Sequence, residues 1–210
     1  MKYIFSFPAI MLIVFNINAQ CVDLDGKTYK TLKIGEMEWT AENLQCSKFR
    51  NGDIIPETSS SEEWVQFCKE NKAACCYLDN DPTKGKLYNW FAVNDPRGLA
   101  PGGWHVANDA EWADLARFYG GWKIAGKKMK ALPKRKKKKA EQQELFNASI
   151  PTGMRYLSGA FEDNGKSYWW SSTPKDYEGA GFRWISDSSD VLNSDICNKR
   201  TGYSVRCVKD

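Results

Sequence analysis

Aromatic residues constrain the fold of this chain more than any other feature of its sequence. The 210 residues include nine Trp, nine Tyr and ten Phe. Because these rings bury large apolar areas, such a content is typical of a compact, β-rich core or of a surface on which ligand rings stack. Hydrophobic residues make up 42% of the chain and charged residues 27%, which excludes a disordered chain and a polytopic membrane protein. The length is that of one ordinary domain.

The positive charge of the chain is concentrated in one run. The formal net charge of the chain is +4. One run of six consecutive Lys and Arg residues contributes more than this, so the remainder of the chain has a slightly negative net charge. We therefore expect no nucleic-acid partner for the body of the protein. The run is either a solvated loop or a docking strip for a polyanionic glycan or a membrane surface. Its residues are Lys134, Arg135, Lys136, Lys137, Lys138 and Lys139.

The first 19 residues have the pattern of a secretory signal peptide. An apolar stretch runs from Ile4 to Ile17, too short to span a bilayer comfortably, and a small residue, Ala19, offers a cleavage site. We therefore expect an exported protein, in the periplasm, on the outer surface or secreted. The alternative is a lipoprotein with lipid on Cys21, although the residues before it do not fit the usual lipidation motif. We expect membrane attachment only in that case.

The cysteines indicate structural disulfides. The chain has seven cysteines, an odd number. Exported proteins enter oxidising compartments, in which cysteine thiols form disulfides. If Cys21 carried lipid, six would remain for three bridges. No pair has C-x-x-C spacing, and the single histidine, His105, is predicted to be a packed, hydrogen-bonded core residue. We therefore expect no metal site and no cofactor. The disulfide candidates, whose pairing stays open, are Cys46, Cys68, Cys75, Cys76, Cys197 and Cys207.

Hydrophobic periodicity and turn residues predict one α+β domain over residues 20–210, after a signal peptide over residues 1–19. Helices are expected mainly in the first half and antiparallel strands mainly in the second. The predicted elements, besides the helix described next, are a hairpin (26–39), a short helix (59–68) and three late strands (168–173, 181–185 and 203–208).

One helix has the clearest local signal in the sequence. Asn108 and Glu111 have the spacing of a capping box, in which the first side chain accepts from the amide of the second residue and the second side chain bonds back. Apolar residues then recur at helical spacing from Trp112 onward, and Gly120 and Gly121 end the helix. Trp112 is therefore predicted to face the core.

Two groups of residues could bind a ligand. Trp122, beside the glycine pair, and Trp184 could stack on sugar rings. Oxygen-bearing side chains on one late loop could hold calcium, although a solvated acidic turn is the alternative and no calcium-lectin motif is present. The loop residues are Asp187, Asp190, Asn193 and Asp195.

A series of long motifs follows in order along residues 22–210. They include DLDGKTY at 23–29, WTAENL at 39–44, GKLYNWFAVNDPRGLAP at 85–101, YWWSST at 168–173 and SVRCV at 204–208. In this order the motifs resemble the Fibrobacter succinogenes major paralogous domain family, a group of secreted bacterial domains. The resemblance covers essentially the whole chain after the signal peptide.

The resemblance implies a C-type lectin-like fold. The stretch around 103–112 is similar to the helix start of formylglycine-generating enzymes, and the closing motif is similar to the end of the same group. Such a fold places one or two helices around a small, twisted antiparallel sheet with long irregular loops. Ala107 and Asn108 replace the family's Pro and Thr, which keeps a helix cap but loses the rigid entry.

The resemblance and the composition together lead us to expect a non-enzymatic, exported binding or adhesion module at the bacterial cell envelope. Its ligand would be a glycan or a surface polymer. The alternative is a structural or tip subunit of a surface assembly, whose loops bind an envelope protein. A third possibility is an enzyme related to formylglycine generation. That chemistry would need a reactive, copper-binding cysteine pair, and Cys197 and Cys207 have no base or metal ligand beside them in the sequence.

Overall fold

The computed structural model describes residues 20–130, 146 and 151–210. The predicted signal peptide, residues 1–19, and the basic run, residues 134–139, lie outside these described residues. Within the described part, no helix is both long enough and apolar enough to cross a membrane.

The described residues form a mixed α+β structure, with four α-helices and several small antiparallel sheets among them. This confirms the predicted α+β class. The helices are α1 (Ser61–Lys69), α2 (Trp90–Val93), α3 (Asp109–Phe118) and α4 (Trp122–Lys130). The strands are β1 (Cys21–Val22), β2 (Thr28–Tyr29), β3 (Thr31–Ile34), β4 (Met37–Thr40), β5 (Cys75–Tyr77), β6 (Lys86–Tyr88), β7 (Trp104–Val106), β8 (Met154–Arg155), β9 (Phe161–Glu162), β10 (Lys166–Pro174), β11 (Gly179–Ser186), β12 (Asn193–Asn198) and β13 (Cys207–Lys209).

A four-stranded sheet joins the two ends of the domain in the order β3-β4-β13-β7. Val208 lies opposite Trp39 on one side and His105 on the other. The last strand is therefore central, and both of its neighbours come from earlier parts of the chain. The predicted hairpin is confirmed as β3 and β4, and its turn uses Gly35 at φ 63°, a conformation that glycine adopts without steric cost.

A three-stranded sheet is formed by β10, β11 and β12 in that order. The first two predicted late strands are confirmed and are longer than expected. The third is shorter: its first residues form only isolated bridges, Tyr203 to Tyr88 and Ser204 to Trp169. Tyr203 thus pairs with β6 and Ser204 with β10, so consecutive residues have different partner strands. A regular strand begins only at Cys207.

The capping box of α3 is confirmed. The Asn108 side chain accepts from the amides of Ala110 (2.9 Å) and Glu111 (3.1 Å), and the Glu111 carboxylate accepts from the Asn108 amide (2.8 Å). The predicted helix over 59–68 is confirmed as α1, with Ser60 as its N-cap. Sequence analysis missed α4, which begins immediately after the glycine pair that ends α3.

Trp112 is fully buried, as predicted, in a cluster of aromatic rings. Its ring centroid lies 5.0 Å from that of Trp39 and 5.9 Å from those of Phe146 and Trp169. Edge-to-face and tilted contacts at these distances stabilise the core beyond simple area burial. The cluster joins α3 to both of the larger sheets, because Trp39 belongs to β4 and Trp169 to β10.

Replacing Trp112 by Ala should therefore lower the free energy of unfolding by about 3–5 kcal/mol. Asn108→Ala should cost about 1 kcal/mol, because it removes the acceptor of two helix amides. Urea denaturation of the variants measures both effects. Phe118→Ala, on the exposed side of the same helix, is the control and should change stability by about 0.5 kcal/mol or less. A Trp112→Ala variant with the wild-type midpoint would contradict the docked position of α3.

Candidate functional site

Of the predicted calcium-loop residues, Asp187 and Asp190 lie in the loop between β11 and β12, whereas Asn193 and Asp195 belong to β12 and not to a loop as predicted. A lysine of the chain itself binds the β11–β12 loop. The Lys130 ammonium donates to the carbonyl oxygens of Ser186 (2.6 Å) and Ser189 (2.6 Å), and to that of Asp187 at 3.4 Å. Three carbonyl oxygens thus converge on one half-buried lysine at the end of α4. An ammonium in this position supplies the positive charge that a bound metal ion would otherwise supply.

The side chains of the loop do not converge on a common point. Asp190 pairs with Lys127 (3.1 Å), Asp195 accepts from the amide of Ile196, and Asn193 donates to the Trp184 carbonyl. Throughout the described part of the chain, no three His, Cys, Asp or Glu side chains are grouped so that they could hold a metal ion. The structure therefore does not assemble these residues into the calcium site that the sequence suggested.

The two candidate stacking residues lie on opposite faces of the three-stranded sheet. Trp122 is 36% exposed, and the Arg183 guanidinium lies 5.5 Å from its ring centroid. Trp184 follows Arg183 in β11, and successive side chains of a strand point to opposite faces. Trp184 is half-buried under the Lys166 ammonium, 5.0 Å from its ring. The two rings cannot form one stacking platform.

The cysteines do not form the predicted disulfides in this structure. All seven are free thiols, so the bridges expected among Cys46, Cys68, Cys75, Cys76, Cys197 and Cys207 are absent. Their sulfur atoms contact the chain instead: Cys46 Sγ lies 3.5 Å from the Leu99 carbonyl oxygen and Cys68 Sγ 3.3 Å from that of Arg200. Buried thiols of this kind act as small hydrophobic side chains.

Burial makes most of these thiols unreactive. Desolvation raises the pKa of Cys46 and Cys75 to about 12 and that of Cys68 to about 11. It also raises the pKa of Cys207 well above its ordinary value. Cys21 is fully buried in the main hydrophobic cluster, with its pKa raised to about 12, so a lipid on this sulfur would have to displace the packing around it.

A thiol-specific reagent should therefore label at most Cys197, the one cysteine that is half-exposed, in the native protein. After denaturation without reductant, all seven thiols should react. Labelling followed by intact-mass measurement counts them. A shortfall of two thiols for each bridge in the denatured sample would contradict the free thiols and restore the predicted disulfides.

His105 is held between two carboxylates. Its Nε2 lies 2.6 Å from Glu111 Oε1 and its Nδ1 2.7 Å from Asp210 Oδ1. Partial burial lowers the pKa of His105, but the hydrogen bonds and negative charges of Asp210 and Glu111 outweigh it and raise the pKa above 6.5. Glu111 also closes the capping box, so one carboxylate ties the histidine of β7 to the start of α3. The histidine is hydrogen-bonded, as predicted, but half-exposed rather than in the core.

The raised pKa predicts a specific pH dependence of stability. A histidine that binds its proton more tightly in the folded state stabilises fully below its unfolded pKa, about 6.5, and this contribution disappears as the pH rises through the folded value. Compared with His105→Gln, the wild type should lose stability between about pH 6 and pH 8.5 by less than about 1 kcal/mol, because the pair is partly exposed. Urea denaturation at both values tests this. Identical pH profiles for the two proteins would contradict it.

An open cleft of about 530 Å³ lies on another side of the domain. Three segments form it: the loop at 54–56, the end of α1 with the residues up to 73, and the stretch 90–97 that contains α2. A volume of this size is within the range of small-ligand sites. Sequence analysis did not predict it, because its walls come from segments that are far apart along the chain.

The cleft combines apolar edges with polar side chains. Ile54, which is 72% exposed, and the half-buried rings of Phe67 and Phe91 supply apolar surface. The amides of Asn71 and Asn94 lie at its edge. Asn71 has φ 51°, a left-handed conformation that Asn tolerates better than most residues.

Arg97, at one end of the cleft, is fixed by ion pairs. Its guanidinium makes two hydrogen bonds to Asp95 (2.8 and 2.9 Å) and one to Asp53 (3.1 Å), and it lies 4.1 Å from the ring centroid of Phe49. The bidentate contact with Arg97 holds the pKa of Asp95 below its usual range. The cleft therefore has a rigid, charge-balanced end rather than an unpaired cation.

The family model described as Fibrobacter succinogenes major domain matches residues 32–209. The chain belongs to this family. The match covers most of the chain and confirms the resemblance drawn from the motifs. No curated protein and no solved structure matches the chain.

Most residues of the motifs that resemble the Fibrobacter succinogenes major domain family are buried and contact one another. Asn43 Oδ1, in the 39–44 motif, accepts from Trp169 Nε1 (2.9 Å) and from Arg206 Nε. Three motifs that are far apart in the sequence thus meet at one amide. The stretch 85–101 differs, because its residues 90–97 also line the open cleft.

Proposed function

We propose that the chain is a non-enzymatic, exported binding module of the cell envelope and that its ligand binds in the cleft at residues 54–97. The observation that supports this most directly is the cleft itself, which combines aromatic and aliphatic edges with side-chain amides. A ligand with both apolar ring faces and hydroxyl groups fits that combination. We therefore propose a glycan or a glycan-bearing surface polymer as the ligand.

The state of the ionisable groups supports a binding role over catalysis. A thiol nucleophile needs a lowered pKa or a neighbouring base, whereas burial raises the pKa of Cys207 and of the other buried thiols. Cys197 lies 3.3 Å from the Thr201 hydroxyl, which is not a base. Both ring nitrogens of His105 are engaged with carboxylates, so neither is a base for a thiol.

We also propose that the fold is C-type lectin-like. The features that support this are the small central sheet, which pairs the last strand with β4 and β7, and the second sheet of β10, β11 and β12. Helix α3 packs against β10 of the second sheet, whereas α1 packs against the two-stranded sheet of β5 and β6. Long irregular stretches connect these elements. In such an arrangement, the connecting segments would determine ligand specificity. The cleft is formed largely by such segments.

The cleft predicts a specific loss of binding on substitution. Screening the domain against an array of glycans and purified envelope polysaccharides identifies a ligand. The double variant Phe91→Ala with Asn94→Ala should then weaken its binding by about 10-fold or more, because it removes an apolar wall and an amide. Circular dichroism checks that the variant is folded. Chelation of calcium should leave the affinity unchanged, since Lys130 occupies the candidate calcium loop.

The matched control is Tyr156→Ala with Asn164→Ala, which removes a partly exposed ring and an amide outside the cleft. This variant should keep wild-type affinity. Equal loss in both double variants, or binding that neither affects, would contradict the proposed location. An absence of binding to every glycan and polysaccharide tested would contradict the proposed ligand class.

A structural or tip subunit is the second candidate, supported by a different surface. Tyr177 is 83% exposed on the turn before β11, and Ile196 is exposed beside it on the edge strand β12. Exposed apolar side chains on an edge strand are typical of contacts with another chain. Capture of one defined envelope protein, lost on Tyr177→Ser with Ile196→Ser, would favour this candidate.

A further inference from the structure

Helix α4 presents a basic face with one aliphatic residue to solvent. Its inward side chains are Ala125 and Met129, which are fully buried. Gly126 is so close to the next segment that a Cβ there would lie 2.6 Å from the Val191 carbonyl oxygen. This packing fixes the rotation of the helix and leaves the opposite side exposed. The exposed residues on that side are Lys123, Ile124, Lys127 and Lys128.

Phe118, the last residue of α3, lies next to the turn that leads into α4. It is 57% exposed, and Ile124 is 42% exposed. The two helices meet at Gly120, where a Cβ would lie 2.7 Å from Ile124 Cδ1, so the isoleucine lies directly over the turn that follows Phe118. We call the five residues Phe118, Lys123, Ile124, Lys127 and Lys128 the α4 face.

The charge of the α4 face is only partly balanced. Lys127 forms an ion pair with Asp190 at 3.1 Å. In residues 20–130, 146 and 151–210, no carboxylate forms an ion pair with Lys123 or Lys128. A partner with negative charge is therefore the one that this surface complements.

We propose that the α4 face docks on a lipid bilayer that contains anionic headgroups. Lysines near such a surface attract the negative headgroups, and exposed apolar side chains enter the boundary between headgroups and acyl chains. Phe118 and Ile124 supply the apolar part, which a dissolved polyanion would not use. The docking surface is separate from the cleft at residues 54–97 and does not depend on the glycan proposal.

Flotation with vesicles tests the proposal. The vesicles contain either phosphatidylcholine alone or equal parts of phosphatidylcholine and phosphatidylglycerol. All proteins carry Ser and Gly in place of residues 134–139, so that the basic run contributes nothing. In this background, we expect at least about 10-fold tighter binding to the anionic vesicles, weakening as salt is added.

Two variants separate the charged and apolar parts of the α4 face. The triple variant Lys123→Ser, Lys127→Ser, Lys128→Ser should lose about 10-fold or more of the affinity for anionic vesicles. The double variant Phe118→Ser, Ile124→Ser should lose vesicle affinity several-fold but keep the same elution from a heparin column. Two controls elsewhere on the surface remove the same number of lysines and the same number of partly exposed large hydrophobic side chains. They are the triple variant Lys48→Ser, Lys69→Ser, Lys84→Ser and the double variant Tyr156→Ser, Leu157→Ser.

The proposal is overturned by any of three results. The first is an absence of anionic-vesicle binding in the background that lacks the basic run. The second is equal loss in the control and α4-face variants. The third is retention on heparin without vesicle binding, which would assign the face to a soluble polyanion. Because the cleft variants leave the α4 face intact, a failed glycan screen would not change the outcome of the vesicle experiment.

Discussion

The fold depends on a buried guanidinium that must find its hydrogen-bond partners inside the protein. Arg206 is almost fully buried; it donates to Asn43 Oδ1 and to the Thr40 carbonyl oxygen (2.9 Å), and its guanidinium lies 4.2 Å from the ring of Phe146. An unpaired charge in this position would strongly destabilise the core. Asn43 also accepts from Trp169, so satisfying one cation brings the first sheet, the second sheet and the last strand together.

Several other cations of the described chain are held by hydrogen bonds in a similar way. Arg155 donates to the carbonyl oxygens of Gly159, Thr58 and Ser60, and Lys86 reaches Ser47 and Glu57. Lys130 is bound by the β11–β12 loop in the same way. These cations bind carbonyl oxygens of the loops and thereby hold irregular segments in defined positions. The surfaces that we propose for partners are the cleft, the α4 face and the edge strand β12.

Local patterns in the sequence predicted the parts of the fold that local physics controls. The capping box at Asn108, the core position of Trp112 and the first hairpin all follow from spacing of a few residues, and the structure confirms them. Helix α4 was missed because the two glycines before it were interpreted as the end of the helical region. A new helix can begin immediately after such a pair when its apolar side packs on a neighbouring loop. The cleft was missed because its walls are distant in sequence.

The sequence by itself determined the family, the α+β class and the identity of the core motifs, since these depend on residue order and short-range periodicity. Only the tertiary structure decided what the candidate side chains contact. It placed Lys130 among the carbonyl oxygens of the acidic loop and put Trp122 and Trp184 on opposite faces of one sheet. It also left the cysteines as separate thiols, all of them buried except Cys197. The physical reason is that each of these outcomes depends on which distant segments pack together. The spacing of residues along the sequence does not give the distance between such segments in space.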